Sequence, residues 1–492
     1  MTRKEVVDIL NQFESEHPVD EWTVKGIHVW PMIKIDLFFR WLKVTDERYK
    51  KSSELFKVKK NNLFKKSYLT VISMLRLSVL LIKPTRKEES FFFLDSRSYR
   101  SKIDNKQRNR FYHSLVDYIN HLKPASKMIY ISDDSEYSIY PSDESIYFSS
   151  KYFHAIRLLS LFKKPNKVSE SSHFDSLMKT FGEDGYKIVS KQHYKNEIDN
   201  LFNSILEQKY LIKTILRKEN ATLTFELCFY SLTRYAANIA ARELNIETIE
   251  IQHGGMGPEH IAYSGWSKFP KEGYELMPKT IWLWDDASYN LIKKWTNKQH
   301  YHSCFLGGNP WISFLLNDSQ NKYSSFPTDK KIILYTLQTH DIEPYLLETI
   351  ASTPEEYQWW IRLHPGKLDA RNSILAQIEE RNLLDKVIID KATNLPLPII
   401  LLNTSVHISA FSGSVIEAAM LGVFSILIDE IGVSNYQKQI QDGLAVAELS
   451  KDKDKLIEKI KSYPTDSIYE NNNSHENQYN NYKSFIDNLL TS

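Results

Sequence analysis

Glu247-Thr-Ile-Glu-Ile-Gln-His-Gly-Gly255 is the stretch of sequence that decides the predicted fold. Its isoleucines alternate with polar residues, which is typical of a β-strand, and the two glycines permit a tight turn directly after the strand. An alanine-rich helix is predicted immediately before it, over Leu232–Leu244. A helix, a strand and a glycine-rich turn in this order indicate an α/β protein with a parallel sheet.

Strands and helices keep alternating along most of the chain. Upstream, Phe91–Asp95 and Lys127–Ser132 predict buried strands, whereas Ala221–Tyr230 fits either a strand or the start of a helix. Downstream, the pattern starts again after Pro278. The predicted strands of this second series are Thr280–Trp284, Ser303–Gly307, Lys331–Thr336, Gln358–Leu363, Val387–Ile389, Val406–Ile408 and Phe424–Ile428.

The length of 492 residues indicates more than one hydrophobic core, because domains typically contain about 50–200 residues. We therefore predict two α/β domains that face each other across a cleft, with ligands at the carboxyl ends of the strands. The predicted division is a basic helical region 1–88, a first domain 89–272, a second domain 273–450 and C-terminal helices 451–492.

Charge and cysteine content argue against several classes of protein. A net charge of +2 provides no basic field of the kind that nucleic-acid-binding proteins use, so we expect no nucleic acid partner. Cys228 and Cys304 form no CxxC or Cys/His cluster, which argues against structural zinc and favours a reducing, cytoplasmic compartment. Met1–Gln12 is polar and does not resemble a secretory signal peptide.

The most biased region is Arg48–Lys87, which contains 12 Lys/Arg and one acidic residue, Glu54. Its apolar part, Tyr68–Ile82, contains Arg76 and is shorter than the roughly 20 apolar residues that a membrane-spanning helix needs. Two interpretations fit this region. It is either a helix with one solvated basic face and one core face, or a peripheral contact with an anionic inner-membrane surface.

His253 follows the decisive strand and is presented at its carboxyl end. An imidazole titrates near neutral pH and can take a proton from an acceptor hydroxyl, so we predict a general base here, the alternative being a structural histidine in a turn. The neighbouring Gln252, Gly254 and His260 are predicted on the acceptor side. Asp95, at the end of an earlier predicted strand, is assigned to the same side.

A second motif, Arg362-Leu-His-Pro365, also ends a predicted strand. Arg362, Lys367 and His364 together supply the positive charge and donors that a departing phosphate needs. We predict donor binding by Arg362 and Lys367 and a catalytic role for His364. The alternative is a capped loop with a solvated arginine.

Ser412, Gly413 and Ser414 form the third motif and are predicted at a helix start, where backbone N–H groups favour an anion. Glu417 either completes a capping box with Ser414 or holds a ribose or sugar hydroxyl. Asn309 lies in a glycine-rich turn that is either a further donor-binding turn or a plain one.

Several motifs of other enzymes are missing. The sequence contains no P-loop, no GxGxxG after a strand and no GxSxG. The triplet Asp452-Lys-Asp454 lies in a lysine-rich run after the last predicted strand, where a solvated helix start is the better interpretation. We therefore predict no essential metal and no cofactor beyond an activated co-substrate.

The motifs in this order resemble bacterial GT-B glycosyltransferases of capsule and O-antigen synthesis, over about Leu232–Leu449. They are similar to CDP-glycerol glycerophosphotransferases of teichoic acid synthesis, with their His-Gly, His-Pro and serine-rich motifs, and to polysialyltransferases, with His-Pro and paired-Ser motifs. Two positions depart from these patterns. Gly413 splits the paired serines, and Gln252 stands where the glycerophosphotransferases usually carry a tryptophan.

The resemblance implies two Rossmann-like domains, the first binding an acceptor and the second a nucleotide donor. It implies metal-independent transfer of a sugar from a nucleotide-sugar donor to a glycan or lipid-linked glycan of a capsule, O-antigen or lipopolysaccharide. By position it makes His253 the acceptor-side base or orienting residue, places His364 near the donor phosphate and puts Ser412 and Ser414 on the donor. The expected location is cytoplasmic, with a peripheral contact at the inner membrane face.

Three other activities fit the same motifs. A transferase of a polyol phosphate from a CDP-linked donor would use the same cleft. A sugar-nucleotide epimerase shares the architecture and needs no acceptor. A non-catalytic scaffold of a polysaccharide assembly complex would have kept the fold alone.

Overall fold

The computed structural model describes residues 2–45, 63–103, 106–133, 144–318, 326, 330–462 and 483–491. Strands within these ranges are β1 Thr23–Val24, β2 Ile27–His28, β3 Ser90–Asp95, β4 Arg100–Ile103, β5 Lys106–Asn109, β6 Lys127–Ser132, β7 Ser145–Phe148, β8 Ala221–Glu226, β9 Glu247–Ile251, β10 Thr280–Leu283, β11 Ser303–Leu306, β12 Lys331–Leu337, β13 Tyr357–Leu363, β14 Val387–Ile388, β15 Thr404–Ser409, β16 Ser425–Leu427 and β17 Ala445–Ala447.

The helices of the same ranges begin with α1 Arg3–Glu16, α2 Trp30–Thr45, α3 Leu63–Ile82, α4 His113–Leu122, α5 Phe153–Ser160, α6 Ser172–Phe181, α7 Lys191–Lys218, α8 Leu232–Arg242 and α9 Asp286–Thr296. They continue with α10 Pro310–Asp318, α11 Pro344–Ser352, α12 Arg371–Glu380, α13 Asp390–Asn394, α14 Leu397–Leu401, α15 Ser414–Met420, α16 Glu430–Asn435, α17 Gln437–Gln441, α18 Lys453–Ser462 and α19 483–491. No helix of the described ranges reaches the length and hydropathy that a bilayer-crossing segment requires.

The first sheet has the spatial order β11-β10-β9-β8-β3-β6-β7, and each neighbouring pair is parallel. Read along the chain, this is a doubly wound order extended by one strand, with its switch point between β3 and β8. All six residues of β3 are buried, as expected for a parallel strand with helices on both faces. The crevice for a ligand therefore opens beyond Asp95 and Glu226, where these two strands end.

The second sheet repeats this topology in the order β14-β13-β12-β15-β16-β17, again with parallel neighbours. Its switch point lies between β12 and β15, so the loop after Ser409 borders the second crevice. That loop contains the serine motif predicted from the sequence.

Helices α1 and α2 form the N-terminal extension and pack into the core of the first domain. Lys34 donates to Glu14 over 2.6 Å, and neither side chain is exposed. The other Glu14 oxygen accepts from the backbone N–H groups of Ser267 and Lys268, beyond β9. This buried pair attaches the extension to the first domain, because separating it would leave a buried charge without its partner.

The two domains share one apolar cluster. Phe111 and Trp284 of the first domain pack in it with Val415, Ile416 and Tyr436 of the second. Two Rossmann-like sheets whose strands end at a common interdomain cleft constitute the GT-B fold that the sequence predicts.

One predicted boundary differs from the structure. Strands β10 and β11 were expected in a second domain beginning at residue 273, but they pair parallel beside β9 in the first sheet. Strand order along the chain does not reveal which sheet a strand joins, because pairing depends on distant backbone. Ala221–Tyr230, which was open between strand and helix, contains β8. Residues 46–62 of the basic region lie outside the described residues.

Candidate functional site between the two domains

The glycine motif of the first domain and the serine motif of the second domain touch each other. A Cβ on Gly413 would lie 2.8 Å from Gly254 Cα and 2.9 Å from Gly255 N. Real Cβ atoms do not approach backbone this closely, so only glycine permits the contact at position 413. The loop after β9 and the loop after β15 therefore form a common floor between the domains.

Arg110 reaches this region from a hairpin of the first domain. The hairpin consists of the antiparallel strands β4 and β5, and Arg110 follows β5 directly, with its N–H bonded to the carbonyl of Tyr99. Buried Asp95 anchors both ends of the hairpin. It accepts from Arg100 Nε over 2.7 Å and from Asn109 Nδ2 over 2.6 Å.

The guanidinium of Arg110 lies among charged groups of the second domain. Burial lowers the pKa of Arg110, and the carboxylate of Glu417 and the ring of Tyr99 oppose this change. Burial also lowers the pKa of Arg362 to about 10, and the positive charge of Arg110 adds to the effect. Two cations that repel each other at one site, both still charged at neutral pH, favour an anionic ligand between them.

Arg362 is fixed at the end of β13. Its Nη1 donates to the carbonyls of Ala392 and Leu395, over 2.7 and 2.6 Å. Arg362 is half-buried, and its Nη1 is bonded to backbone. The alternative interpretation, a solvated arginine, is therefore wrong. Such anchoring presents the remaining N–H groups in a fixed direction.

His364 follows two residues later and is exposed. Its Nδ1 accepts a hydrogen bond of 3.0 Å from the N–H of Gly366. Although part of the residue reaches solvent, the protein packed around the ring lowers the pKa of His364 to about 4, and the charges of Lys367 and Arg110 act in the same direction. The ring is therefore neutral at pH 7 with its proton on Nε2, which makes that nitrogen a donor for a phosphate oxygen.

His253 lies on the other side of the cleft, half-buried, with its ring edge-on to Tyr99 at a centroid distance of 5.8 Å. Burial lowers its pKa to about 4, and the charges of Arg110 and Arg234 contribute. Its buried Nδ1 has no partner among the described residues. A neutral imidazole that carries its proton on Nδ1 can accept a proton from a bound hydroxyl through Nε2.

Glu417 is half-buried, and no side-chain hydrogen bond to it occurs among the described residues. The capping-box interpretation is therefore wrong, since α15 begins at Ser414 after Gly413 without a side-chain cap. Burial raises the pKa of Glu417 to about 7, although Arg110 and Arg362 oppose the rise. Its carboxyl group is thus available to a hydroxyl of a ligand.

The serine motif is divided in its roles. Ser414 is buried, and its Oγ lies 3.0 Å from Thr336 Oγ1 and 3.2 Å from His407 Nε2. His407 is fully buried and bonds Ser425 Oγ through Nδ1, over 2.9 Å. Direct donor contact by the Ser414 hydroxyl, as predicted from the sequence, is therefore wrong. Ser412 is half-buried, and its Oγ accepts from Ser414 N over 3.3 Å.

Three further predicted residues are structural. Buried Gln252 bonds Trp284 N, Ser288 Oγ and the carbonyl of Gly254, and so shapes the glycine loop. Asp95 anchors the Arg110 hairpin instead of facing an acceptor. Asn309, which is 1% exposed, accepts from Trp311 N at the start of α10 and offers no surface to a donor. Each was assigned by its place after a strand, which does not reveal side-chain direction.

His260, the remaining acceptor-side prediction, is half-buried beside the glycine loop. Its Nε2 lies 3.3 Å from Tyr230 OH. Burial lowers the pKa of His260 itself to about 3. It is therefore a neutral neighbour of His253 on the wall of the first crevice.

Two residues of the site escaped sequence reasoning. Arg110 stands in Arg108-Asn-Arg110, a polar run without a motif, and only its position on the anchored hairpin brings it to the cleft. His407 stands inside the predicted strand 406–408, where a lone polar residue in an apolar run was the available signal. No three His, Cys, Asp or Glu side chains of the described ranges are grouped as a metal site requires.

No family model matches the chain, and no curated protein matches it. Among solved structures it is similar to the UDP-GlcNAc 2-epimerase of Methanocaldococcus jannaschii, with 12% identity, a TM-score of 0.49 and coverage of 82% of this chain and 100% of the other. The Neisseria meningitidis UDP-GlcNAc 2-epimerase bound to UDP-GlcNAc has 13% identity and a TM-score of 0.48, and the match covers 82% of this chain and 99% of the other. The wall teichoic acid polymerase TagF has 12% identity and a TM-score of 0.48, and the match covers 88% of this chain and 98% of the other. Sequence identities this low indicate a similarity of fold and nothing further.

Proposed function

We propose that this protein is a glycosyltransferase that moves a sugar from a nucleotide-sugar donor to a glycan of a surface polysaccharide, such as a capsule, O-antigen or lipopolysaccharide. The observation that carries the proposal is the convergence of Arg110, His253, Arg362, His364 and Glu417 where the two crevice loops meet. The reaction takes place in the cytoplasm, where nucleotide-sugars are made.

The donor diphosphate lies against the second domain in this proposal. The charges of Arg110 and Arg362 act on each other and on Glu417, and the two guanidinium groups attract the anionic diphosphate. His364 Nε2–H donates to the same group. Charge-assisted hydrogen bonds from arginine are among the strongest available to a phosphate, and they strengthen as charge develops on the leaving group. Glu417 accepts a hydrogen bond from a hydroxyl of the ribose or the sugar.

The acceptor lies against the first domain. His253 takes the proton of the attacking acceptor hydroxyl while the hydroxyl oxygen forms the new bond to the anomeric carbon of the donor sugar. The bond from that carbon to the phosphate oxygen breaks, and the nucleotide diphosphate or monophosphate leaves with the electron pair. Contact between the glycine and serine loops excludes water from this point, which limits hydrolysis of the donor.

The first test of the proposal is nucleotide binding by the purified full-length chain. Thermal shifts are measured with CMP, CDP, UDP, GDP and dTDP, because a ligand at about 100 times its dissociation constant adds about 2.7 kcal/mol to stability. We expect stabilisation by one nucleotide, unchanged by EDTA. Absence of a shift with every nucleotide, at concentrations up to the solubility of each, contradicts the donor site.

The second test identifies the reaction. The stabilising nucleotide is supplied as its sugar conjugate with a glycan acceptor, and the product is analysed by mass spectrometry and NMR. A product with a new glycosidic bond supports the proposal if the rate of its formation falls about 100-fold or more in His253→Ala. A phosphodiester product identifies a polyol phosphate transferase. An altered free nucleotide-sugar identifies an epimerase. Binding without any product identifies a scaffold.

A further inference from the structure

Helix α3 carries an apolar stripe that no other part of the described chain covers. Ser73, Leu77 and Leu80, each at most 3% exposed, form the face that packs on the first domain. The stripe on the other face follows helical spacing, and its members are between 59% and 80% exposed, namely Tyr68, Val71, Leu75, Val79 and Ile82. A contiguous row of large exposed apolar side chains is unusual on a monomer and marks a contact surface.

A second apolar projection lies on the neighbouring helix. Helix α5 packs on α3, and its Ala155 N–H donates to Ser73 Oγ over 2.9 Å. Directly after α5, Leu161 and Phe162 are 74% and 84% exposed. We call the α3 stripe together with Leu161 and Phe162 the apolar face.

The charge on the segments that carry the apolar face is positive. Segments 63–87 and 149–169 contain 11 Lys/Arg and no Asp or Glu. Carboxylates from outside these segments pair with three of the cations, since Glu219 binds Lys83 and Arg86, and Glu170 binds Lys167. Arg76 projects from α3 close enough to Lys151 to add to the lowering of the Lys151 pKa that loss of hydration causes. Arg157, Lys163 and Lys164 follow at the end of α5. Apolar side chains ringed by cations match the acyl and headgroup layers of an anionic bilayer.

We propose that the apolar face inserts into the interface of an anionic lipid bilayer, with α3 lying in the plane of the membrane. A second copy of the chain fits this surface less well. Its own cations would be brought opposite those of the first copy, with no carboxylates in either segment to pair with them. The contact goes beyond the proposed function, and its measurement does not depend on transfer activity.

The test is co-sedimentation of the full-length protein with vesicles of phosphatidylglycerol mixed with phosphatidylcholine, or of phosphatidylcholine alone. We expect binding about tenfold or more tighter to the anionic vesicles, weakened by high salt. The variant Val79→Gln/Ile82→Gln should lose about tenfold or more of this binding without loss of thermal stability, because both side chains are exposed. Leu368→Gln/Leu384→Gln is the matched control, since both leucines are exposed on the second domain.

Each other outcome overturns the proposal. Wild-type protein that stays in the supernatant with both vesicles has no such contact. Equal sedimentation of wild type and Val79→Gln/Ile82→Gln would show that the apolar face takes no part in vesicle binding. A dimer in light scattering that this variant makes monomeric, without vesicle binding, identifies a second copy as the occupant. Nucleotide thermal shifts of the same variants separate these results from a failure of the proposed donor site.

Discussion

Arg110 belongs to the first domain, but its charge interacts with the charges of Glu417 and Arg362 in the second domain. We predict that Arg110→Ala weakens nucleotide diphosphate binding about tenfold or more, through loss of a charge-assisted contact worth about 1.5–3 kcal/mol. Arg110→Lys should recover part of the affinity, since it keeps the charge without the planar fork. Isothermal titration calorimetry measures both.

The control for Arg110 lies on the same hairpin. Arg108 pairs with Glu144 within the first domain, so Arg108→Ala tests whether a disturbed hairpin alone weakens binding. Equal loss of affinity in Arg108→Ala and Arg110→Ala would show that the effect comes from the hairpin and not from the Arg110 charge.

Glu250 is predicted to control how stability depends on pH. It lies opposite Glu226 in the β8–β9 pair, and each carboxyl has one oxygen without a partner in the described structure. Burial raises the pKa of Glu250 to about 7. A raised pKa means that the folded state binds more protons than the unfolded chain, so stability falls as pH rises from about 4.5 to about 7.

We expect Glu250→Gln to remove this loss, because its amide keeps an acceptor for Phe229 N and Tyr263 OH and gives Glu226 a donor. The difference in unfolding free energy, variant minus wild type, should rise by about 1–3 kcal/mol between about pH 5 and pH 8. Denaturant titrations measure it, and taking the difference removes titrations common to both proteins, such as that of His407. A difference that stays constant with pH contradicts the assignment.

At the scale of elements, the contact between the two loops depends on a missing side chain. Gly413→Ala places a Cβ against backbone atoms of the other domain, and we expect a loss of about 1–3 kcal/mol in stability from overpacking. Gly254→Ala is the matched control, because a Cβ there has nothing within 4 Å. Thermal denaturation of both variants measures the difference. Equal stability of the two would mean that the loops separate without cost.

Strand positions could be predicted from the sequence, whereas the directions of the side chains that follow the strands could not. The strands β9, β13 and β15 were predicted close to their observed bounds, because alternation and turn residues are signals within a few neighbouring residues. The direction of a side chain after a strand is not such a signal. Ser414 turns inward because His407 and Thr336 offer it partners on neighbouring strands.

At the scale of the whole molecule, the chain ends on the domain in which it begins. Helix α19 packs on the first domain, where Ile486 is fully buried, Phe485 stacks on Phe305 at 3.8 Å and Tyr118 OH donates to Asp487. We predict that Ile486→Ala costs about 2–5 kcal/mol, as for other buried aliphatic truncations. The same change at Ile82, which is 80% exposed, should be nearly neutral. Denaturant unfolding compares them, and equal effects would mean that α19 contributes no packing.

The sequence by itself determined two α/β domains with parallel sheets, their glycine, His-Pro and serine motifs, and the place of those motifs after strands. These follow from local patterns of apolar, polar and turn residues. The tertiary structure alone decided that β10 and β11 join the first sheet, that Ser414 and Asn309 are structural, and that Arg110 enters the site. Strand pairing, burial and the field at a charge arise between segments far apart in the chain, so no local pattern contains them.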